Sequence, residues 1–155
     1  MVKNITPVFP LLVALMVPGC SPESGGASVQ PLAFETVEKS NQSGIMDARQ
    51  AVVKDAPAWL SLWEEHTGHV TPPPEPPLVD FSKHMVLGVF LGQRPNLCYQ
   101  VIIEAVESIA RNKILVKYRE TGPLPGSSCA QAIAYPVHLV TIDRSSLPVE
   151  FRVVN

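Results

Sequence analysis

The chain has 155 residues, with 12 Lys and Arg against 14 Asp and Glu and a formal net charge of −2 at pH 7. No basic excess exists to neutralise phosphates, so nucleic acid is excluded as an expected partner. The length suits one domain with its own buried core once an N-terminal segment is set aside.

That segment comes first in chain order. Lys3 precedes the apolar run Val8-Phe9-Pro10-Leu11-Leu12-Val13-Ala14-Leu15-Met16-Val17, which is followed by Pro18, Gly19 and Cys20. A positive start, a short apolar run and a small residue before a cut form a secretory signal peptide rather than a spanning helix. The run falls short of the roughly 20 apolar residues that a bilayer core requires. Gly19-Cys20 resembles the lipobox of bacterial lipoproteins, in which the cysteine becomes the acylated N-terminus. The expectation is a lipoprotein signal peptide over 1–19, lipidation (palmitate) at Cys20, and membrane attachment through the N-terminal lipid alone. Ser21, in place of an aspartate after the cysteine, resembles the sorting pattern of the outer membrane, with the domain facing the periplasm.

With Cys20 committed to lipid, Cys98 and Cys129 remain as an even pair. Exported chains live where thiols pair, so a Cys98–Cys129 disulfide is expected, worth about 3–4 kcal/mol in the chain-entropy model. The alternative is two free buried thiols.

Residues 20–31 read as a flexible tether, since Ser21-Pro22-Glu23-Ser24-Gly25-Gly26-Ala27-Ser28 holds no bulky apolar residue. A single domain is expected over 32–155. Phe34 to Lys39 reads as a first strand, Ser40 to Gly44 as a turn cluster and Ala48 to Lys54 as a returning strand. A helix follows: Asp55 caps it, Pro57 fits its first turn, and Gly68 is a natural stop. Trp59, Leu62, Trp63 and His66 recur at three- and four-residue steps, marking a face that packs onto a sheet; a ligand platform is the alternative. Pro72-Pro73-Pro74-Glu75-Pro76-Pro77 excludes helix and central strand and reads as a rigid crossover, with a docking ligand as the alternative.

Met85 to Gly92 is nearly all apolar, the pattern of a central strand buried on both faces. Tyr99 to Val106 forms the next strand. Ile114, Val116 and Tyr118 then alternate with Leu115, Lys117 and Arg119, as in a half-buried strand. Ala132 to Ile142 and Val149 to Val154 complete the set. Consecutive strands with short loops predict an α+β fold, a mainly antiparallel β-sheet or sandwich with one helix packed on it.

Chemistry-bearing patterns are thin. His66 and His69 have the spacing of a metal pair, but no third ligand completes a zinc pattern. Ser127 and Ser128 with His138 lack a nucleophile elbow, and His138 has apolar Val140 and Ile142 at two-residue steps. No phosphate-cradling loop or dinucleotide fingerprint occurs. The reading is no catalytic residue, no metal and no cofactor. A disulfide would instead pin the loops before Cys98 and Cys129 side by side, and pre-ordered loops lose less entropy on binding. Leu97, Tyr99, Leu124, Pro125 and Gly126 are the candidate partner-binding residues; ordinary turn chemistry is the alternative.

The series Trp59-x-x-x-Trp63-x-x-His66, Pro76-Pro77-x-Val79-Asp80-Phe81-x-x-x-Met85-Val86, Gly88-x-x-x-Gly92 and Gln131-x-x-x-Tyr135-Pro136-x-His138 resembles the PrcB C-terminal domain family, from a lipoprotein subunit of a protease complex. Where that family has a Thr-Gly-Gly-Tyr turn, this chain has Asn96-Leu97-Cys98-Tyr99, which fits a turn held by a disulfide. The resemblance implies an accessory, non-catalytic cell-envelope lipoprotein that binds a protein partner, an exported protease. A small protease inhibitor acting through Leu124-Pro125-Gly126 and a structural envelope lipoprotein are the alternatives.

Overall fold

The computed structural model describes residues 28–155; the signal peptide, Cys20 and most of the tether lie outside the described residues. Eight strands and one helix follow in the order β1 (Val29–Leu32), β2 (Glu35–Ser40), β3 (Arg49–Val53), α1 (Ala56–Thr67), β4 (His84–Phe90), β5 (Gln100–Ile109), β6 (Lys113–Thr121), β7 (Val137–Asp143) and β8 (Val149–Val153). They build two four-stranded sheets, β1-β5-β6-β8 and β2-β7-β4-β3. This is the expected α+β sandwich with one helix packed on it.

Two cores explain the layers. β4 is central to its sheet, and its residues divide by pleat. Met85, Leu87 and Val89 enter the core between the sheets, with Val101, Ile103 and Val106 of β5 and Ile114 and Val116 of β6. Val86 and Phe90 face the other way, into a second core with Trp59, Leu62 and Trp63 of α1 and Val137 and Leu139 of β7. A strand buried on both faces has no polar alternation to show, and β4 shows none.

The helix begins where expected. Asp55 accepts a hydrogen bond from Ala58 N–H at 2.9 Å, which satisfies one of the orphan donors of the first turn. Gly68 follows the last turn but keeps a right-handed conformation. The helix end is closed from outside instead, because Gly44 N–H donates to the His66 carbonyl at 2.7 Å. A Cβ at Gly44 would stand 2.5 Å from the Glu65 carbonyl oxygen, so only glycine permits this approach. The indoles serve two ends at once. Their rings fill the second core, while Trp59 Nε1 donates to the Pro77 carbonyl at 3.0 Å and Trp63 Nε1 to that of Pro74 at 2.8 Å. The proline segment is therefore a crossover strapped along the helix.

Three expectations are corrected. Residues Val29–Pro31, read as tether, form a strand: β1 pairs with β5 from Val29↔Ile109 to Leu32↔Val106, at an edge where Pro31 costs no ladder bond. β3 does not return onto β2; it pairs with β4 at the opposite edge of the sheet. β8 pairs with β6 in parallel, Ile114↔Val149 to Tyr118↔Val153, because Asp143 to Pro148 carries the chain across to the other sheet.

His138 joins the layers. Its Nδ1 accepts from Ile103 N–H across the sandwich at 2.8 Å, next to the bulge between Ile103 and Ala105. The proton must then sit on Nε2, 3.0 Å from Thr36 Oγ1 beside the β2 bulge. Burial pushes this imidazole down to about 4, with the Lys39 charge adding to the effect.

Candidate functional site

The strands run between two poles. One holds the β5–β6 turn, the β7–β8 loop and the start of the described chain, since Ala110 N–H donates to the Ser28 carbonyl. The other holds the β4–β5 and β6–β7 loops, together with the C-terminal end of α1. Cys98, Cys129 and the five candidate loop residues all lie at the second; Cys20 lies outside the described residues.

Cys98 and Cys129 form a disulfide with 5.6 Å between Cα atoms, joining positions 31 apart in sequence. The main chain on either side is laced as well. Arg94 and Ala134 exchange both bonds, at 2.8 and 3.0 Å, and Leu97 N–H donates to the Ala130 carbonyl at 3.2 Å. Asn41 Nδ2 donates to the Leu97 carbonyl at 2.9 Å, and Tyr135 N–H to the Asn41 carbonyl at 2.8 Å. Asn96 Oδ1 accepts from Cys98 N–H at 3.0 Å, an Asx turn that sets the cysteine. Gly92 makes the exit from β4 possible: its φ is +71°, and a Cβ there would meet Ala48 N at 2.7 Å.

The five candidate loop residues divide. Leu124 is 75% exposed, and Pro125 and Gly126 are exposed beside it. Ser127 fixes this turn, donating from both N–H, at 3.0 Å, and Oγ, at 2.8 Å, to the Leu124 carbonyl. Leu97 is half-buried, and its N–H and carbonyl are both bonded to neighbouring segments. Tyr99 is half-buried too, its ring covering Gly122 so closely that a Cβ there would come within 3.1 Å. These two hold the pole together and Leu124-Pro125-Gly126 is what it displays.

The serine–histidine grouping does not assemble. Both ring nitrogens of His138 are committed to Ile103 and Thr36, and Ser127 Oγ points to the Leu124 carbonyl. The histidine pair gathers no third ligand among the described residues. His66 is buried against Trp63 and Phe90, with Nδ1 3.0 Å from Ser43 Oγ. Burial holds its imidazole down to about 4, and His69 adds a smaller push in the same direction. It is neutral at pH 7, so it carries no charge for the helix dipole. No cluster of three or more His, Cys, Asp or Glu suited to a metal occurs among the described residues.

One feature was not legible in the sequence. A groove of about 470 Å³ opens where the end of α1 meets the segment after β2 and the approach to β7, lined by Gln42, Met46, Glu65, His69, Ile133 and Tyr135 among others. Met46 is 65% and Ile133 54% exposed. Its walls come from three separate stretches of chain, so no local periodicity announces it. Two apolar residues in uncharged loops were its only trace.

No curated protein and no solved structure matches the chain. Residues 85–143, from the second residue of β4 to the last of β7, match the sequence model of the PrcB C-terminal family, and over that span the resemblance seen in the sequence holds.

Proposed function

We propose that the protein is a lipid-anchored lipoprotein of the bacterial cell envelope whose domain is a non-catalytic protein-binding module, an accessory subunit of an exported protease. The observation that carries this reading is the disulfide pole: an exposed Leu124-Pro125-Gly126 turn held by a covalent link and by main-chain bonds on both flanks. A turn already ordered loses little entropy on docking. The PrcB C-terminal family match supports a protease complex as the setting; the Gly19-Cys20 pair supports the lipid anchor, and Ser21 supports the outer membrane, facing the periplasm.

Crosslinked pull-down from intact envelopes, with the parent and a Leu124→Asp variant, tests the module. A protease subunit recovered with the parent and lost with the variant is the expected result; the same partners with both would remove the turn from the site. Replacing Cys20 with serine should release the protein from the membrane fraction, and continued association would overturn the anchor.

The inhibitor reading is favoured by one observation, the exposure of Leu124 on a turn that Ser127 and the disulfide stiffen. Inhibition at micromolar concentration across a protease panel decides it. Absence of inhibition there leaves the accessory module.

A further inference from the structure

Charge is distributed unevenly over the domain. Three of the segments that build the disulfide pole, Asn41–Met46, Pro95–Gln100 and Thr121–Pro136, contain no Asp, Glu, Lys or Arg; the end of α1 adds Glu64 and Glu65. The arginines that border the pole are neutralised within the domain: Arg94 grips Glu120 through Nε at 2.6 Å and Nη2 at 2.9 Å, and Arg49 holds Glu65 at 2.5 Å. Lys39 and Asp47 lie just outside the uncharged stretches. Within this neutral area Met46 and Ile133 project into the groove at 65% and 54% exposure. We propose that the groove seats an uncharged, apolar segment of a partner protein, on the side of the domain turned away from the membrane that holds Cys20.

The absence of free charge selects the occupant. The one carboxylate in the walls, Glu65, is already paired with Arg49, so a charged segment would be stripped of water without a free partner, which is costly. An apolar side chain entering the groove covers Met46 and Ile133 and removes apolar surface from water. The floor is already set, since Gly44 closes the end of α1 and Tyr135 is bonded to Asn41 and Ser43.

Chain length argues against the bilayer as the occupant, a step that rests on reading Cys20 as the anchor. The chain reaches the domain at Ser28, at the pole opposite the groove. Eight peptide steps separate Cys20 from Ser28, and fully extended they reach at most about 29 Å. The ten residues of β5 lie between the poles and span about 30 Å at about 3.3 Å each. The loops of the disulfide pole add to that height. Pressing the disulfide pole flat onto the membrane that the lipid occupies would thus need the tether fully extended and more.

The experiment is a selection of the full chain, held in detergent, against a random dodecapeptide phage library, repeated with Met46→Asp and with Ile133→Asp. The expected outcome is enrichment of peptides rich in Leu, Ile, Val and Phe and free of charged residues. A synthetic copy should lose at least tenfold in affinity for each variant. Both variants should melt at the parent temperature because both side chains are more than half exposed; Ile133→Asn replaces any aspartate variant that melts lower. Enrichment of charged peptides, no enrichment, or unchanged affinity in the variants overturns the proposal. Retention of the Cys20→Ser chain on phosphatidylcholine vesicles, abolished by Ile133→Asp, gives the groove to lipid and overturns it. So does a dimer in sedimentation that Ile133→Asp dissociates. If apolar peptides bind but are lost only with Leu124→Asp, the groove assignment fails while the binding-module reading stands.

Discussion

The two poles of the sandwich must each hold several loops in register, and they do so by different means. At the β5–β6 pole the device is charge. Arg144 Nη1 donates to the Lys54 carbonyl at 2.6 Å and to that of Phe81 at 2.7 Å, gathering three loops with one guanidinium. Asp80 accepts from Ser82 and pairs with Lys83 at 3.2 Å, and these contacts hold its carboxyl below the usual range. Lys113 adds a pair with Glu150. At the disulfide pole the clasp is covalent, reinforced by main-chain bonds. Ion pairs border this pole too, Arg94 with Glu120 and Arg49 with Glu65, but the turn it displays carries no charged residue. A disulfide is neutral and leaves that surface apolar.

The largest effect we expect comes from acid, acting at His138 between the sheets and at His66 in the last turn of α1. His66 and His138 both titrate near 4 in the fold, below the unfolded value of about 6.5. The unfolded chain therefore binds more protons between these values, so stability is full above about pH 6.5 and falls as pH drops through 4. Each site should account for a loss of about 2–3 kcal/mol over that window, measured as the urea midpoint against pH. A flat profile would mean that burial holds neither imidazole neutral.

Breaking the covalent clasp comes next. Cys98→Ala with Cys129→Ala should cost about 3–4 kcal/mol through a looser unfolded chain. Amide exchange should rise at Leu97 and Ala134 while Ile142, in the central strand pair, keeps its protection. The polar clasp is weaker: Arg144→Ala should cost about 1–2 kcal/mol, and because its acceptors are neutral carbonyls, added salt should hardly change the loss. Smallest is Leu124→Asp, within about 0.5 kcal/mol on stability but with loss of the partner in pull-down. A loss from the double cysteine variant no larger than that from Arg144→Ala would erase the contrast between the poles.

What the sequence disclosed follows from what is local. The Asp55 cap, the Trp59–Trp63–His66 stripe and the apolar run of β4 are each decided within a few turns or one strand, and all stand as expected. The Cys98–Cys129 pair was legible because counting suffices once Cys20 is set aside. Pairing across distance was not. β1 contains Gln30 and Pro31, a weak strand sequence that extends because β5 offers an open edge. The bulge at Glu104 shifts the inward positions from Val101 and Ile103 to Val106, so β5 loses its simple alternation. β6–β8 parallel pairing depends on where the chain lands after changing sheets. The groove, walled by residues from three segments, is tertiary in the same sense.

The two indoles of α1 lie with ring centroids 5.3 Å apart and planes tilted by 49°. Transition dipoles that close, neither parallel nor perpendicular, couple into a pair of opposite-signed bands in circular dichroism. Both N–H groups also end on carbonyls of the proline crossover. The molecule thus carries its own optical gauge of the helix layer, which should vanish when the crossover lifts and stay constant when the disulfide pole alone is loosened.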